Sequence, residues 1–539
     1  MKLINKTSLL LVILLLAQTG CQKEWLDEQP LAQLSEASAW KTQSDAMLAL
    51  TGLYQGSSVG ENAYTNFLLC LSSATDDSSY KNGSLSSVYS GYFLYPTESQ
   101  NVGGRWTKAY TSIYRCNYFL ANIDKVTMDD ATKKQIIAEA RFLRAYEYFW
   151  IAQWYGGVPL ITKVLTIKEA NTQSRNTRQE IQDFVLTELT AAATDLPTTR
   201  VAAQKGRIIQ SAALAVKGRQ LMILKRWSEA ATTFKQIIDL KVHSIDPSYS
   251  NLCKEAGENS TEIILSCNCL AGLYGNAQSQ RNHHPAFYGG YQEMNPFQDL
   301  VDAFLMKDGL SIKESPLYDP DHPFNNRDPR LYASIFLPEY TFFRGTLYLG
   351  HPDLTDVGIK NLIGATGYGV KKYVTENYVG DQGSSGDDII WIRFAEVLLG
   401  YLESKLEAGD AITQDLLDQT INQVRGRAEV SMPAVTETNK DKLREIVRNE
   451  RRVEFNLERL IRWMDIHRWD IASQVINKKF YGMKLTNDPA HYTKYVVNSE
   501  GYKFVIDRTG SYNEAVNGLW PIPQSELDIN SSLGQNPGY

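Results

Sequence analysis

ATKKQIIAEARFLRAYEYFWIAQWY, residues 131–155, is the stretch that decides the fold class. Apolar or small residues recur along it at helical spacing: Ile137, Ala140, Ala145, Tyr148 and Ala152. This period of three to four residues is typical of an amphipathic α-helix. Gly156, Gly157 and Pro159 follow directly and are residues that end helices. The stretch therefore predicts one long helix.

The same period predicts further helices on both sides of the middle of the chain. They are expected at 178–196, 208–224, 227–240, 392–409, 412–428 and 440 to about 460. Within the pair 208–224 and 227–240, small residues such as Ala212 and Gly218 are followed by Phe234. Small residues let paired helices approach closely and an aromatic ring fills the remaining gap, as in a tetratricopeptide repeat. We predict a mainly α fold, a tetratricopeptide-like scaffold with repeats at about 106–240 and 390–470.

Two long segments interrupt this pattern, at about 57–105 and 254–388. Both are rich in Gly, Ser, Asn, Pro and Tyr, and only short runs such as 262–267 and 369–374 read as strands. Binding groups are disproportionately found on loops that a rigid frame positions. The helices are therefore expected to support the molecule, and these insertions are expected to contact the ligand.

The N-terminus has the pattern of a secretory signal. Lys2 and Lys6 precede an apolar run over 9–17, which is too short to span the ~30 Å hydrocarbon core. Gly20 and Cys21 then resemble a bacterial lipoprotein cleavage site, although Gln18 stands where a Leu is usual. We predict a signal peptide at 1–20, lipid attachment at Cys21, and one mature domain over 21–539 held to a membrane surface.

Composition excludes several function classes. The 539 residues carry a net charge of −6, whereas nucleic-acid binders concentrate Lys and Arg on one face. Beyond Cys21, the cysteines at 70, 116, 253, 267 and 269 have irregular spacing that indicates neither a zinc site nor a disulfide framework. We expect most of these cysteines to be small buried residues. We also expect the protein to bind no metal and no cofactor.

A series of short motifs then occurs in order along the chain. They are RFLRA at 141–145, YGGVPL at 155–160, KGR at 205–207, NRDPR at 326–330, IRFAEVLL at 392–399, ERRVE at 450–454, RWMDIHRW at 462–469, LWPIPQSE at 519–526 and QNPGY at 535–539. The ordered set resembles the SusD/RagB family of Bacteroidetes outer-membrane lipoproteins. That resemblance implies a surface-exposed, non-enzymatic protein that captures a glycan, or sometimes a peptide, and passes it to a SusC-like TonB-dependent transporter.

Candidate ligand-binding residues are aromatic residues in the insertions, because sugar rings stack on flat apolar faces while planar polar groups bind their hydroxyls. The first insertion offers Tyr80, Tyr89, Tyr92 and Tyr95, with Asp76, Asp77, Asn82 and Asn101. The second offers Tyr274, Tyr288, Tyr291, Tyr340, Phe342, Phe343 and Tyr348, with Asn276, Gln280, Arg281 and Arg344. Trp106, Tyr110 and Tyr114 have helical spacing and are expected to face the core.

Charged motif residues have a structural interpretation instead. Arginine forks pair well with buried carboxylates, and the Asp328-Pro329 step favours a tight turn between two arginines. A hydrolase is disfavoured because adjacent pairs such as Asp76–Asp77 and Asp387–Asp388 rarely span a glycosidic bond. We expect His283 and His284 to be a solvated pair. A peptide-binding subunit, or one that only docks on the transporter, remains the alternative to glycan capture.

Overall fold

The computed structural model describes residues 40–61, 71–80, 97, 102–276, 279–285, 288–348, 366–484, 498–509 and 512–539. The predicted mainly α architecture is confirmed. In the first half the helices are α1 (Gln43–Gly56), α2 (Gly104–Asn122), α3 (Asp130–Tyr155), α4 (Ile167–Ala170), α5 (Arg178–Asp195), α6 (Gln210–Ile223) and α7 (Trp227–Asp239). In the second half they are α8 (Gln280–His283), α9 (Gln298–Ala303), α10 (Pro329–Ser334), α11 (Phe394–Glu407), α12 (Gln414–Asp418), α13 (Ile421–Arg425), α14 (Lys440–Glu454), α15 (Ile461–Arg468), α16 (Ala472–Ile476), α17 (Glu514–Asn517) and α18 (Gln524–Ile529).

The long helices pack as neighbours in chain order, α2 on α3, α3 on α5, α5 on α6, α6 on α7 and α7 on α11. Local signals set their ends. Thr177 and Glu180 form a capping box that satisfies free backbone N–H groups at the start of α5. Gly156 ends α3 with a φ of +72°, a conformation that favours glycine. The helix predicted from residues 131–155 is therefore confirmed nearly to the residue.

Close helix approach in the scaffold depends on two glycines that face one ring. Phe234 of α7 is buried between Gly218 of α6 and Gly400 of α11. A Cβ added at Gly218 would lie 2.5 Å from the ring, and one at Gly400 would lie 2.9 Å from it. The small-residue and aromatic pattern of the sequence thus corresponds to a real three-helix contact.

The described strands are short and pair in twos. They are β1 (Ser78–Tyr80), β2 (Ile263–Cys267), β3 (Met294–Pro296), β4 (Ile335–Phe336), β5 (Phe342–Phe343), β6 (Thr346–Leu347), β7 (Gly369–Val370), β8 (Ile389–Arg393), β9 (Lys479–Lys484) and β10 (Tyr502–Thr509). The pairs are β1 with β3, β2 with β8, β4 with β7, β5 with β6 and β9 with β10, all antiparallel.

Several predicted boundaries are wrong in the second half. Ile392 and Arg393 belong to strand β8, so the helix expected from 392 begins at Phe394. The helix expected over 412–428 is two short helices, α12 and α13, and α14 ends at Glu454 rather than near 460. The strand expected over 369–374 is limited to Gly369–Val370.

A charged cluster lies in the interior beside these helices. Its ten members are five cations, Arg330, Lys372, Arg393, Arg425 and Arg427, and five carboxylates, Glu262, Asp328, Glu450, Glu454 and Glu458. Glu454 accepts hydrogen bonds from Arg330, Arg393 and Arg427 at 2.6–2.8 Å. The structural interpretation of these motif residues is confirmed: they join α10, α13, α14 and β8.

The C-terminal segment packs on the C-terminal end of α3. Trp520 stacks on Trp154 of α3, with ring centroids 5.1 Å apart, and the backbone N–H of Trp520 donates to the Trp154 carbonyl. Asn536 donates to the carbonyl oxygens of Tyr155 and Trp520. Cys116, Cys253 and Cys267 are buried, as expected, and Cys269 is half-buried. In the part of the chain that the structure describes, no helix has the length and hydropathy needed to cross a membrane.

Candidate functional site

The two insertions meet at a small antiparallel sheet. Tyr80 of β1 is opposite Met294 of β3, and Ser78 is opposite Pro296. The Tyr80 hydroxyl also lies 3.5 Å from the side-chain nitrogen of Asn282, in the loop that leads to Tyr291. The end of β1 is therefore next to the 280–291 segment of the second insertion.

A ring and a guanidinium lie together on this segment. The Arg281 guanidinium is 5.8 Å from the centre of the Tyr291 ring, within cation–π range, and the Tyr291 N–H donates to the Arg281 carbonyl. Gly383 leaves room for the guanidinium, since a Cβ there would lie 2.5 Å from its carbon. Asp381 lies 3.7 Å from Arg281. Tyr291 stays 41 % exposed, so part of its ring surface is open to solvent.

A second ring and guanidinium are arranged in the same way nearby. The Arg344 guanidinium lies 5.3 Å from the centre of the Tyr288 ring. The backbone N–H of Arg344 donates to the Glu376 carboxylate, and its Nε donates to the Glu376 carbonyl, both at 2.6 Å. The Tyr288 hydroxyl donates to Thr346 in the β5–β6 hairpin at 2.9 Å. Gln382 donates to the Tyr288 carbonyl at 3.4 Å, which connects this pair to the segment that carries Asp381.

We call Tyr288, Tyr291, Arg281 and Arg344 the ring ledge. It combines two half-buried or exposed tyrosine rings, two partly exposed guanidinium groups, and the carboxylates of Glu376 and Asp381 at its border. Rigid aromatic faces suit the C–H side of a pyranose, and planar forks suit pairs of hydroxyl groups. Tyr288 packs on Phe343 and under Arg344, so the exposed Tyr291 is the ledge ring best placed to stack on a sugar, and the guanidinium groups are the planar forks.

Two family models match the chain. The one described as "SusD family" matches residues 261–539, and the one described as "Starch-binding associating with outer membrane" matches residues 24–220. The chain belongs to the SusD family. Members of this family are binding proteins rather than enzymes, and the second model places them in association with the outer membrane.

Individual relatives agree with this assignment of the SusD-like chain. A SusD-like carbohydrate binding protein from Bacteroides fragilis is 35 % identical, with a TM-score of 0.85 over 91 % of this chain and 99 % of that one. SusD-like protein P38 from Formosa agariphila is 24 % identical over 86 % of this chain and 92 % of its own length. A laminarin binding SusD-like protein shares 20 % identity and a TM-score of 0.67 over 93 % of this chain and all of that one, which shows the fold alone.

Two predicted ligand residues of the SusD-like chain have a different role. Asp76 and Asp77 are fully buried and ion-paired with Arg452 and Arg462. Arg462 binds Asp76 through two hydrogen bonds of 2.8 Å. Burial alone would raise the pKa of Asp76, but the two arginines lower it well below its usual range. The prediction that this pair contacts ligand is wrong, because both carboxylates already bind arginines in the interior.

Several predicted rings and amides are also inside the protein. Tyr80, Phe343 and Tyr348 are buried, as are Asn276 and Gln280. Burial raises the pKa of Tyr348 well above its usual value, and its hydroxyl is paired with Gln292. His283 and His284 are buried too, and their Nδ1 atoms contact the carbonyls of Ser279 and Gln280, so the expected solvated pair is wrong. These side chains support the loops from the interior.

Among the described residues, the remaining predicted rings are exposed or half-buried and do not join the ledge. Phe342 is 64 % exposed, and strand alternation points it away from Phe343, which contacts Tyr288. Tyr340 stacks on Tyr332 instead. Tyr274 is half-buried and its hydroxyl donates to the Gly60 carbonyl. Tyr89, Tyr92, Tyr95, Asn82, Asn101, Cys70 and Cys21 lie outside the described residues.

Two outcomes had no local signal in the sequence. Trp106 is buried as expected and Tyr110 is partly buried, but Tyr114 is 52 % exposed, so its expected core position is wrong. Glu376 and Asp381 border the ledge, although nothing in their immediate sequence marks them. Their role follows from the meeting of three loop segments that are far apart along the chain.

Proposed function

We propose that this protein captures an oligosaccharide at the cell surface and passes it to a SusC-like TonB-dependent outer-membrane transporter. The observation that carries the proposal is the ring ledge, located next to the sheet where the two insertions meet, in a chain of the SusD family. The description of the 35 % identical relative as carbohydrate binding supports the same ligand class.

The glycan is bound without being cleaved in this proposal. Hydrolysis of a glycosidic bond needs two carboxyl groups on opposite sides of the bond, one of them with a raised pKa. At the ledge, Glu376 binds the backbone and side chain of Arg344 through its side chain and carbonyl, and Asp381 lies beside Arg281. The Glu376 carboxylate therefore holds the Arg344 backbone, the Glu376 carbonyl holds its guanidinium, and Asp381 is paired with Arg281, which supports a binding role.

Titration calorimetry of the mature chain against maltoheptaose, laminarihexaose and xylan oligosaccharides tests the proposal. We expect saturable binding of at least one glycan, with no new reducing ends after prolonged incubation. The Tyr291→Ala variant should weaken that binding about tenfold, since it removes one stacking face. Tyr114→Ala is the matched control, because it removes a tyrosine of similar exposure from helix α2.

The outcomes separate the alternatives. A heat of binding on titration with a peptide library, with none on titration with any glycan, would favour a peptide-binding subunit. No heat from either, together with retained binding to the transporter, would favour a subunit that only docks. Release of reducing sugar would show a hydrolase and contradict the proposal.

Attachment to the membrane and to the transporter is a separate part of the proposal. Cys21 would carry acyl chains, each buried CH₂ of which contributes ~0.8 kcal/mol to anchoring. In cells, the Cys21→Ala variant should leave the outer-membrane fraction. Affinity purification of the intact lipoprotein should recover a TonB-dependent barrel. A Cys21→Ala protein that stays in the membrane fraction would contradict lipid attachment at this residue without affecting the glycan proposal.

A further inference from the structure

A second concave site lies near the β5–β6 hairpin, apart from the ring ledge. It is a cleft of about 420 Å³, which falls within the range of roughly 300–1,000 Å³ that is typical of small-ligand pockets. Five aromatic side chains from four chain segments line it: Tyr318, Phe324, Tyr340, Tyr368 and Tyr502. None of the four ledge residues is among its lining residues.

Three of these five rings, Tyr340, Phe324 and Tyr368, contact one another in a row that Tyr332 braces from behind. Tyr340 stacks on Tyr332 with ring centroids 5.3 Å apart and planes 17° apart, and it makes an edge contact with Phe324. Phe324 makes an edge contact with the buried Tyr368. Because Tyr332 covers one face of Tyr340, the ring is held in place while 40 % of the residue stays exposed beside the cleft. The rings can therefore receive a ligand with little ordering cost.

One carboxylate with spare acceptor capacity lines the same cleft. The Tyr368 hydroxyl donates to Gln298, and the Gln298 amide donates to Asp302 Oδ1 at 2.8 Å. Among the described residues, Asp302 Oδ2 receives no hydrogen bond and no Lys or Arg nitrogen forms a salt bridge with this carboxylate. Desolvation raises the pKa of Asp302, with Gln298 opposing that effect. A half-buried carboxylate with one oxygen that lacks a donor can accept hydrogen bonds from the hydroxyl groups of a ligand.

The neighbouring arginine is not available for an acidic ligand. Arg327 uses its two terminal nitrogens for the backbone carbonyls of Val301, Phe304 and Pro323, at 2.6–2.9 Å. The whole residue is buried, with 2 % of its surface exposed. Three carboxylates line the cleft, Asp302, Asp321 and Glu339, whereas its exposed cationic side chains are Lys484 and His322, and His322 is already paired with Asp319. This acidic lining disfavours an anionic ligand.

We infer that this cleft is a second carbohydrate-binding site, separate from the ledge, and that it takes a short neutral segment of a glycan whose hydroxyl groups donate to Asp302. The inference rests on the proposed function, because it takes the ligand of the chain to be a glycan. Tyr340 would stack on a sugar face, and Tyr318 and Tyr502 would border the same ring from the other segments. The two sites together would hold a chain at separate points.

Calorimetry on the full mature chain with maltoheptaose and laminarihexaose, and with a galacturonan oligosaccharide as the charged probe, tests the inference. We expect two binding events for the best neutral glycan and none at the cleft for galacturonan. Tyr340→Ala and Asp302→Asn should each weaken one event about tenfold and leave the other unchanged. Asp321→Asn, at the exposed rim of the cleft, should change both events less than about twofold.

The pattern of losses distinguishes failure of the inference from failure of the proposed function. Suppose that only one binding event is seen, that Tyr291→Ala removes it, and that Tyr340→Ala and Asp302→Asn bind as the unchanged protein does. That result would overturn the proposed site in the cleft and leave the ledge proposal intact. Loss of the same event in all three variants would show one continuous site and also overturn the inference. No binding of any glycan by the unchanged protein would overturn both. Thermal melting of each variant shows whether a loss reflects misfolding.

Discussion

Replacing Glu454 with Gln tests whether the motif arginines form a balanced interior cluster. Glu454 is 0 % exposed and accepts from Arg330, Arg393 and Arg427. Burial opposes its ionisation, but those arginines lower the pKa of Glu454 far below the usual value near 4.5. The five cations and five carboxylates of the cluster balance, so the substitution leaves one buried positive charge without its counter-charge.

The expected cost is large because the unpaired charge cannot reach water. Breaking a buried ion pair by removing one partner typically costs about 3–5 kcal/mol. We expect Glu454→Gln to lower the free energy of unfolding by that amount, measured by urea denaturation at pH 7. Glu229→Gln is the control, since Glu229 pairs with Arg226 at the surface of α7 and such a pair contributes only about 0.2–1 kcal/mol.

The pH dependence of the same variant gives an independent check. The folded pKa of Glu454 is lower than the unfolded one, so the stability from its charge is present above about pH 4.5 and is lost as pH falls. The gap between Glu454→Gln and the unchanged protein should therefore narrow in acid. Equal costs for Glu454→Gln and Glu229→Gln at pH 7 would refute the reasoning.

Two further substitutions test packing and a buried acid. Phe234→Ala empties the space between Gly218 and Gly400, so we expect it to cost about 3–5 kcal/mol of stability in urea, and a loss below 1 kcal/mol would contradict the contact. Burial raises the pKa of Glu147 to about 7, although Ser58 donates to it twice. Its folded pKa exceeds the unfolded one, so stability falls as pH rises from about 4.5 to 7. Glu147→Gln should therefore be more stable than the unchanged protein at pH 8, by roughly 3 kcal/mol, and equal to it near pH 4 in thermal melts. A variant less stable at pH 8 would contradict this.

The helical scaffold could be predicted from sequence because its signals are local. Residues 131–155 carry a helical period and a following Gly156, and both act within a few turns. The start of α11 could not be predicted in the same way. Ile392 continues the apolar pattern of the helix, but antiparallel pairing with β2, Ile392 opposite Leu265 and Arg393 opposite Ile263, makes the two residues part of a strand. Periodicity does not report a partner about 130 residues earlier in the chain.

The site was predictable only in part, for a similar reason. Of the rings predicted in the insertions, Tyr291 and Phe342 are exposed, as a ligand-contacting ring must be. The burial of Asp76 and Asp77 depends on Arg452 and Arg462, which are far away in sequence and close in space. A loop composition rich in Tyr and Asp indicates where a ligand surface can form. It does not indicate which side chains the fold uses for its own interior.

A crystal structure of the mature chain soaked with the glycan that binds most tightly is the most direct test of the central claim. We expect an intact oligosaccharide with a sugar ring in van der Waals contact with the Tyr288 or Tyr291 ring, and with hydroxyl groups hydrogen-bonded to Arg281 or Arg344. Density for the glycan on the helical face around α2, with the ledge empty, would contradict the account.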